Sequence, residues 1–487
     1  MSVGNGKSRK DSGSIKALIV SGFKSIADET RIEIKPLTIL SGANSSGKSS
    51  IMQPLLLMKQ TLEVKFDPGA LLLNGSHVKF TTANQLLSIQ PECKGNFSIG
   101  IEFEHNKSDR TSYLGPWMDF FSYPIPSAST ITIHFKKDIP NKVFDVTQMD
   151  INVDGDKYKL LQETFSLDEL IKNADITKKT KDLMAEQENE FRKLFISIIP
   201  KDTSSNRKNI LVIRERCFLK LDLNRIKHPY QREYSLSKYP LLSVLPFISE
   251  NINSYIQSLI HLPGLRGNPE REYPRIAAKG PFFEGTFQEY TASIINHWKN
   301  EGDIRFKEIS KSLKKIGLAW KVDVKQVDDT RIELKVGRLP QAAVGGAQDM
   351  VSIADVGFGV SQTLPLIVAL LAANPGQLVY IEQPEIHLHP RAQRALAELI
   401  ADAVNRGVKV VIETHSLLII RGIQTLVAKK KVKQDSVILH WFELDKQTGT
   451  TKVTPADLDE NGAFGDWPED FDEVELTSES EYLDAQS

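Results

Sequence analysis

Gly42-Ala43-Asn44-Ser45-Ser46-Gly47-Lys48-Ser49 meets the pattern G-x-x-x-x-G-K-[ST]. Its flanks supply the context such a loop needs. Leu37-Thr38-Ile39-Leu40 reads as a buried strand, and Ser50 to Met58 as a helix opening at the lysine. Gly42 and Gly47 let successive N–H groups converge on a phosphate, and the helix N-terminus adds partial positive charge. Asn44, Ser45 and Ser50 belong to the same cradle. Lys48 is placed for β- and γ-phosphate oxygens, and the Ser49 hydroxyl for Mg²⁺.

Outward from this loop the chain alternates strand and helix patterns, an α/β reading. Ile15–Val20, Thr30–Ile34, Phe97–Phe103, Ser129–Phe135 and Phe144–Val153 alternate apolar with polar residues and form a β-rich section. Leu167–Ile196 is charged and helical in pattern, as are Leu241–Leu262, Phe283–Trp298 and Phe306–Leu318. Trp320–Lys325 and Arg331–Val336 read as a hairpin. Gln377–Ile381, Lys409–Ile412 and Val437–Glu443 are strands, with a helix over Pro390–Asn405. From Asp457 to Ser487 there are twelve acidic residues and neither lysine nor arginine, which reads as a mobile tail.

The 487 residues carry 61 basic and 62 acidic side chains, so charge alone gives no argument for nucleic acid. The apolar runs Leu364–Ala373 and Leu378–Ile381 are too short to span a bilayer. Met1 to Ser14 lack an apolar signal core, which gives a cytoplasmic reading without membrane attachment. Cys93 and Cys217 are read as buried and inert.

Leu378-Val379-Tyr380-Ile381-Glu382-Gln383-Pro384-Glu385 ends an apolar strand in acids, the form of a Walker B element. Glu382 is the metal-side carboxylate on this reading. Together with Ile19–Ser25, these motifs resemble ATPases of the ABC class as found in SMC, RecF and OLD proteins. The nearer resemblance is to bacterial AAA ATPases with a C-terminal domain of unknown function, of the type found in anti-phage defence systems.

Several further stretches carry that likeness. Asp355-Val356-Gly357-Phe358-Gly359-Val360-Ser361-Gln362 resembles a degenerate signature motif, and Ile412-Glu413-Thr414-His415-Ser416 the strand of the switch histidine. His261-Leu262-Pro263-Gly264-Leu265-Arg266 with Arg271, and Asn461 to Phe471, resemble subgroup motifs.

The resemblance implies an ABC-type P-loop NTPase head with a β-rich N-terminal lobe and a mixed, largely helical insertion. Its halves fall at 1–160 and 319–456, with the insertion at 161–318 and the acidic tail at 457–487. ATP and Mg²⁺ are the implied cofactors, and a homodimer or higher homo-oligomer is the implied assembly. In it Gly357, Gly359, Ser361 and Gln362 of one copy cover the nucleotide of another. His415 is then the γ-phosphate sensor, and Arg266 and Arg271 are candidates for an interface or a nucleotide contact.

One position departs from the ABC pattern. Gln383 stands where a water-activating glutamate is expected, and a glutamine cannot accept the proton. Glu385 or His415 takes that role, or turnover is slow. Three functions follow: a slow ATPase that is the sensor or scaffold for a separate effector in anti-phage defence, a RecF-like DNA repair ATPase, or an ATP-gated module with little turnover.

Overall fold

The computed structural model describes residues 13–93, 95–105, 126–138, 143–162, 164–166, 174–182, 185, 209–222, 240–277, 280–338 and 349–465. They form two compact units, Met1–Arg31 with Ser50–Ser258, and Ile32–Ser49 with Leu259–Ser487. Most of the helix expected over 167–196 lies outside the described residues, as does the tail beyond residue 465.

The second unit is built on a six-stranded sheet. Its strands are β1 (Leu37–Gly42), β2 (Ile260–Leu262), β3 (Leu378–Glu382), β4 (Lys409–Glu413), β5 (Val437–Leu444) and β6 (Thr451–Asp457). Their spatial order is β2-β3-β4-β1-β5-β6, and every neighbouring pair is parallel except β5 with β6. β1 and β4 are buried throughout and β3 over its first four residues, as expected of parallel strands covered on both faces. That double burial explains why their sequences are mostly apolar.

α1 (Lys48–Glu63) begins in this unit with Lys48 and Ser49, and its remainder belongs to the first unit; α2 (Thr291–Asn300), α3 (Ile304–Lys315), α4 (Phe358–Ala372), α5 (Pro390–Asn405) and α6 (Leu417–Ala428) lie wholly within this unit. α4 is buried over nearly its whole length and packs against α2, α3 and α5. α5 is amphipathic and begins with Pro390 in its first turn, where the missing N–H costs nothing. The His389 side chain accepts from the Arg391 amide and caps it. The expected hairpin is present as Val322–Gln326 paired antiparallel with Arg331–Gly337.

The first unit carries an antiparallel sheet in which Ser14–Ser21, Asn96–Glu104, Ala128–Asp138, Val143–Val153 and Asp156–Leu161 lie in sequence. A smaller sheet joins Thr164–Ser166, Asn209–Glu215 and Phe218–Asp222. The rings of Phe97 and Phe135 stack at 4.9 Å in the core of the larger sheet. Cys217, in the hairpin turn of the smaller sheet, is buried, whereas Cys93 is only partly covered.

Two helix expectations are corrected. The helix expected to run to Leu262 ends at Ser258, and Ile260–Leu262 is β2, the edge of the nucleotide-loop sheet. A three-residue apolar strand directly after a helix has no period of its own to announce it. The helix expected from Phe283 starts at Thr291, after a short 3₁₀ turn over Phe287–Tyr290.

Candidate functional site

β1 delivers the chain to the glycine loop. Gly42 has a φ of +141°, and a Cβ there would collide with the Phe442 carbonyl oxygen on β5. Only glycine fits that approach. Gly47 (φ +97°) and Ser45 (φ +62°) complete the turn before α1 begins at Lys48. The Ser46 hydroxyl is buried with no hydrogen-bond partner among the described residues. Thr451 on β6 donates to the Ser46 carbonyl at 2.9 Å and steadies the loop from outside.

Lys48 is 4% exposed and folds back over the loop, donating to the Gly42 carbonyl at 3.1 Å and the Ala43 carbonyl at 2.6 Å. Burial pushes its ammonium below the usual lysine range, with the charges of Glu413 and Glu385 opposing. The lysine therefore faces two acids while its hydrogen bonds go to neutral carbonyls.

β3 and β4 end side by side, with Glu382 and Glu413 in register. The Ser49 hydroxyl donates to Glu413 Oε1 at 2.8 Å, and the Tyr380 hydroxyl donates to Glu413 Oε2 at 2.9 Å. Burial raises the Glu413 carboxyl above its ordinary range and Glu382 adds to this, against the two hydroxyl hydrogen bonds and Lys48.

Glu382 is held differently. His261 Nε2 lies 3.1 Å from its Oε1, and the Gly264 amide donates to its Oε2 at 3.1 Å. Burial would raise this carboxyl, but the contacts with His261, Gly264 and the charge of Arg266 hold it below the usual glutamate range. The His261 ring also stacks on Tyr380 at 5.5 Å, its register partner on β3. β2 and the loop after it thus grip the end of β3.

Gln383 sits at a φ of +42°, and its amide donates to the Glu413 carbonyl at 2.7 Å. Glu385 Oε1 accepts from the His415 amide at 2.7 Å, while its Oε2 is buried without a partner among the described residues. The His415 imidazole is half-buried, and burial followed by the Lys48 charge lowers its pKa against a hydrogen bond to the Gly42 backbone. Ser41 and Thr414 tie β1 to β4 at this end, through a 3.0 Å bond from the Ser41 hydroxyl to the Thr414 carbonyl. Lys48, Ser49, Glu382, Gln383, Glu385, Glu413 and His415 are thereby gathered where β1, β4 and β3 finish.

The signature stretch opens α4 with Gly357 at its N-cap. The Ser361 hydroxyl donates to the Phe358 carbonyl within the helix at 3.1 Å. Gln362 Nε2 donates to the Gly267 carbonyl at 2.8 Å. Gly359 approaches the loop after β3, where an added Cβ would stand 3.3 Å from the His387 carbonyl oxygen.

Arg266 is buried and bridges the two motifs, donating to the Gln362 carbonyl at 3.2 Å and the Glu382 carbonyl at 2.9 Å. Arg271 is exposed and pairs in a fork with Asp355 at 2.7 and 3.0 Å. Sequence reasoning placed Glu413 and His261 within motifs but assigned neither a role. A buried acid on a strand between Ile412 and Thr414 was the one local signal for the first.

The oxygen donors at this site suit Mg²⁺, which takes hard ligands and is commonly held by one or two carboxylates together with substrate phosphates. Ser49 and Glu382 carry such oxygens, and Lys48 carries a charge of the sign a phosphate would need. Among the described residues no group of three or more His, Cys, Asp and Glu side chains is placed to hold a metal. His387 and His389 are exposed, and His389 is spent on capping α5. Among those residues no helix is long and apolar enough to cross a membrane.

Comparison with known families gives a match to the AAA ATPase domain over residues 14–420. No curated protein matches. Solved structures overlap loosely: an SMC head bound to the C-terminal winged-helix domain of ScpA is 11% identical, with a TM-score of 0.44, covering 92% of this chain and 98% of that one. The Pyrococcus yayanosii SMC head with coiled coil and joint is 12% identical (TM-score 0.42, covering 96% and 100%). The Thermotoga maritima SMC head domain is 10% identical (TM-score 0.38, covering 91% and 100%). Overlaps this loose decide nothing further about the chain.

Proposed function

Because the chain belongs to the family of AAA ATPase domains, we propose that it binds ATP with Mg²⁺ on the 42–49 loop and hydrolyses it slowly. The reading rests above all on one observation: Lys48 and Ser49 meet Glu413, Glu385 and His415 at the ends of three adjacent parallel strands. The amides of the loop and the first turn of α1 bind the phosphates. Lys48 exchanges its carbonyl partners for β- and γ-phosphate oxygens, where both donor and acceptor are charged and the bond is stronger. Ser49 and Glu382 would hold Mg²⁺, which supplies neutralising charge on the phosphates.

Water attacks the γ-phosphorus as the bond to the ADP oxygen breaks, and the water's proton must go to a base. Gln383 can orient water but cannot take that proton. Glu385 has a buried oxygen with no partner among the described residues, and His415 has a lowered pKa, so each can act as the acceptor. Neither occupies the position directly after Glu382, which favours slow turnover.

In this reading two copies close over the nucleotides, and Ser361 with the Gly357 and Gly359 amides donates to the γ-phosphate of the other copy. Opening and closing make the protein the sensor or scaffold of a separate effector in anti-phage defence. The test is purification with its genomic neighbours, followed by nucleotide binding and ATPase assays with and without DNA. Lys48→Ala should abolish binding, and Glu385→Gln should keep binding while cutting turnover at least tenfold. A Lys48→Ala protein that binds ATP like the wild type refutes the site. DNA-stimulated turnover that falls steeply with salt would move the function to DNA repair.

A further inference from the structure

Glu413 is 4% exposed, yet its two hydrogen-bond donors are neutral hydroxyls, Ser49 and Tyr380. A buried carboxylate is costly unless charge or hydrogen bonds compensate. Lys48 lies near enough to act on it electrostatically but donates to the Gly42 and Ala43 carbonyls instead. Among the described residues no Lys or Arg forms an ion pair with Glu413. Its register neighbour Glu382, by contrast, has His261, an amide and a nearby arginine.

The geometry at Ser49 gives this acid a task. A serine hydroxyl has one proton and two lone pairs, and it binds a cation only through a lone pair. With its proton committed to Glu413 Oε1 at 2.8 Å, Ser49 is left with both lone pairs for a ligand. Tyr380 is fully buried, and its hydroxyl fixes the other carboxylate oxygen at 2.9 Å, so the acceptor cannot swing away. Groups behind a metal ligand that fix its orientation commonly govern metal affinity 10- to 100-fold.

We infer that Glu413, backed by Tyr380, is the positioning residue that orients the Ser49 hydroxyl toward the divalent cation of a metal–nucleotide complex. The inference rests on the nucleotide-site reading above and adds to it the residue that makes the site selective for metal-loaded nucleotide.

The test measures affinity for a fluorescent ATP analogue in excess EDTA and in Mg²⁺, with Mn²⁺ titrations followed by electron paramagnetic resonance as an activity-independent readout. Wild type should bind more tightly with metal. Glu413→Gln should lose about 10- to 100-fold in Mn²⁺ affinity while its EDTA affinity stays within about twofold. Tyr380→Phe, which removes one hydroxyl and keeps the ring, should move the same arm in the same direction by less. It carries the test should Glu413→Gln fail to fold. A merely structural role would lower both arms together, and that result, or an unchanged metal arm in both variants, overturns the inference. A wild type that binds the analogue in neither condition overturns the nucleotide site and this inference together. Normal wild-type binding with an unchanged Glu413→Gln overturns the inference alone.

Discussion

Arg266→Ala tests the mechanical link between α4 and β3. Its guanidinium is 7% exposed, and burial pulls its pKa down to about 10 against the charges of Glu382 and Glu385, so it remains charged at neutral pH. It donates to the Gln362 carbonyl on α4 and the Glu382 carbonyl on β3. Hydrogen bonds involving a charged group contribute about 1.5–3 kcal/mol each, so two give roughly 3–6 kcal/mol at most. Because its hydrogen-bond partners are carbonyls that alanine leaves without these donors, we expect a loss of about 3–5 kcal/mol, within that ceiling. Lysine keeps the charge but lacks the fork that reaches both carbonyls, and should cost about half as much. Urea unfolding followed by tryptophan fluorescence is a suitable assay, because Trp298, Trp320 and Trp441 all lie in the unit that holds Arg266. An alanine variant within about 1 kcal/mol of wild type would refute the reasoning, as would a lysine variant no better than alanine.

Other perturbations have equally definite outcomes. Gly42→Ala should lower stability by about 2 kcal/mol or more and weaken nucleotide binding, since the new Cβ meets the Phe442 carbonyl at a positive φ; calorimetry and analogue binding check it. His105, buried beside Ser129 in the first unit, has its pKa pushed from an ordinary 6.5 down to about 4 by burial, with Asp154 opposing. The unfolded chain takes up this proton first. The stability from the neutral ring is therefore intact above about pH 6.5 and is lost as pH falls toward 4, by about 3 kcal/mol in all. Unfolding curves of His105→Gln across that window should be flatter than those of wild type by this amount. Ser361→Arg should leave nucleotide binding to a single copy intact and abolish nucleotide-dependent dimerisation in light scattering; dimers that persist would remove the proposed closure.

Much of the site was legible because its parts are local. Two glycines five residues apart, a lysine directly after the second, and an apolar strand ending in Glu382 announce themselves within a few residues. The strands at 37, 378, 409 and 437 were legible for a related reason, since strands buried on both faces are mostly apolar. Ile260–Leu262 was not, because three buried residues after a helix satisfy helix and strand equally.

What the sequence by itself determined is the phosphate loop, the acid at the end of β3 and the histidine after β4. What only the tertiary structure decided is who stands beside whom. Ser49 and Glu413 are 364 positions apart and meet because β4 lies directly between β1 and β3. His261 and Arg266 reach Glu382 because a three-residue strand joins the sheet at its edge. Strand order is set by which apolar faces can be buried together across the whole sheet, a long-range packing choice that no window of sequence contains.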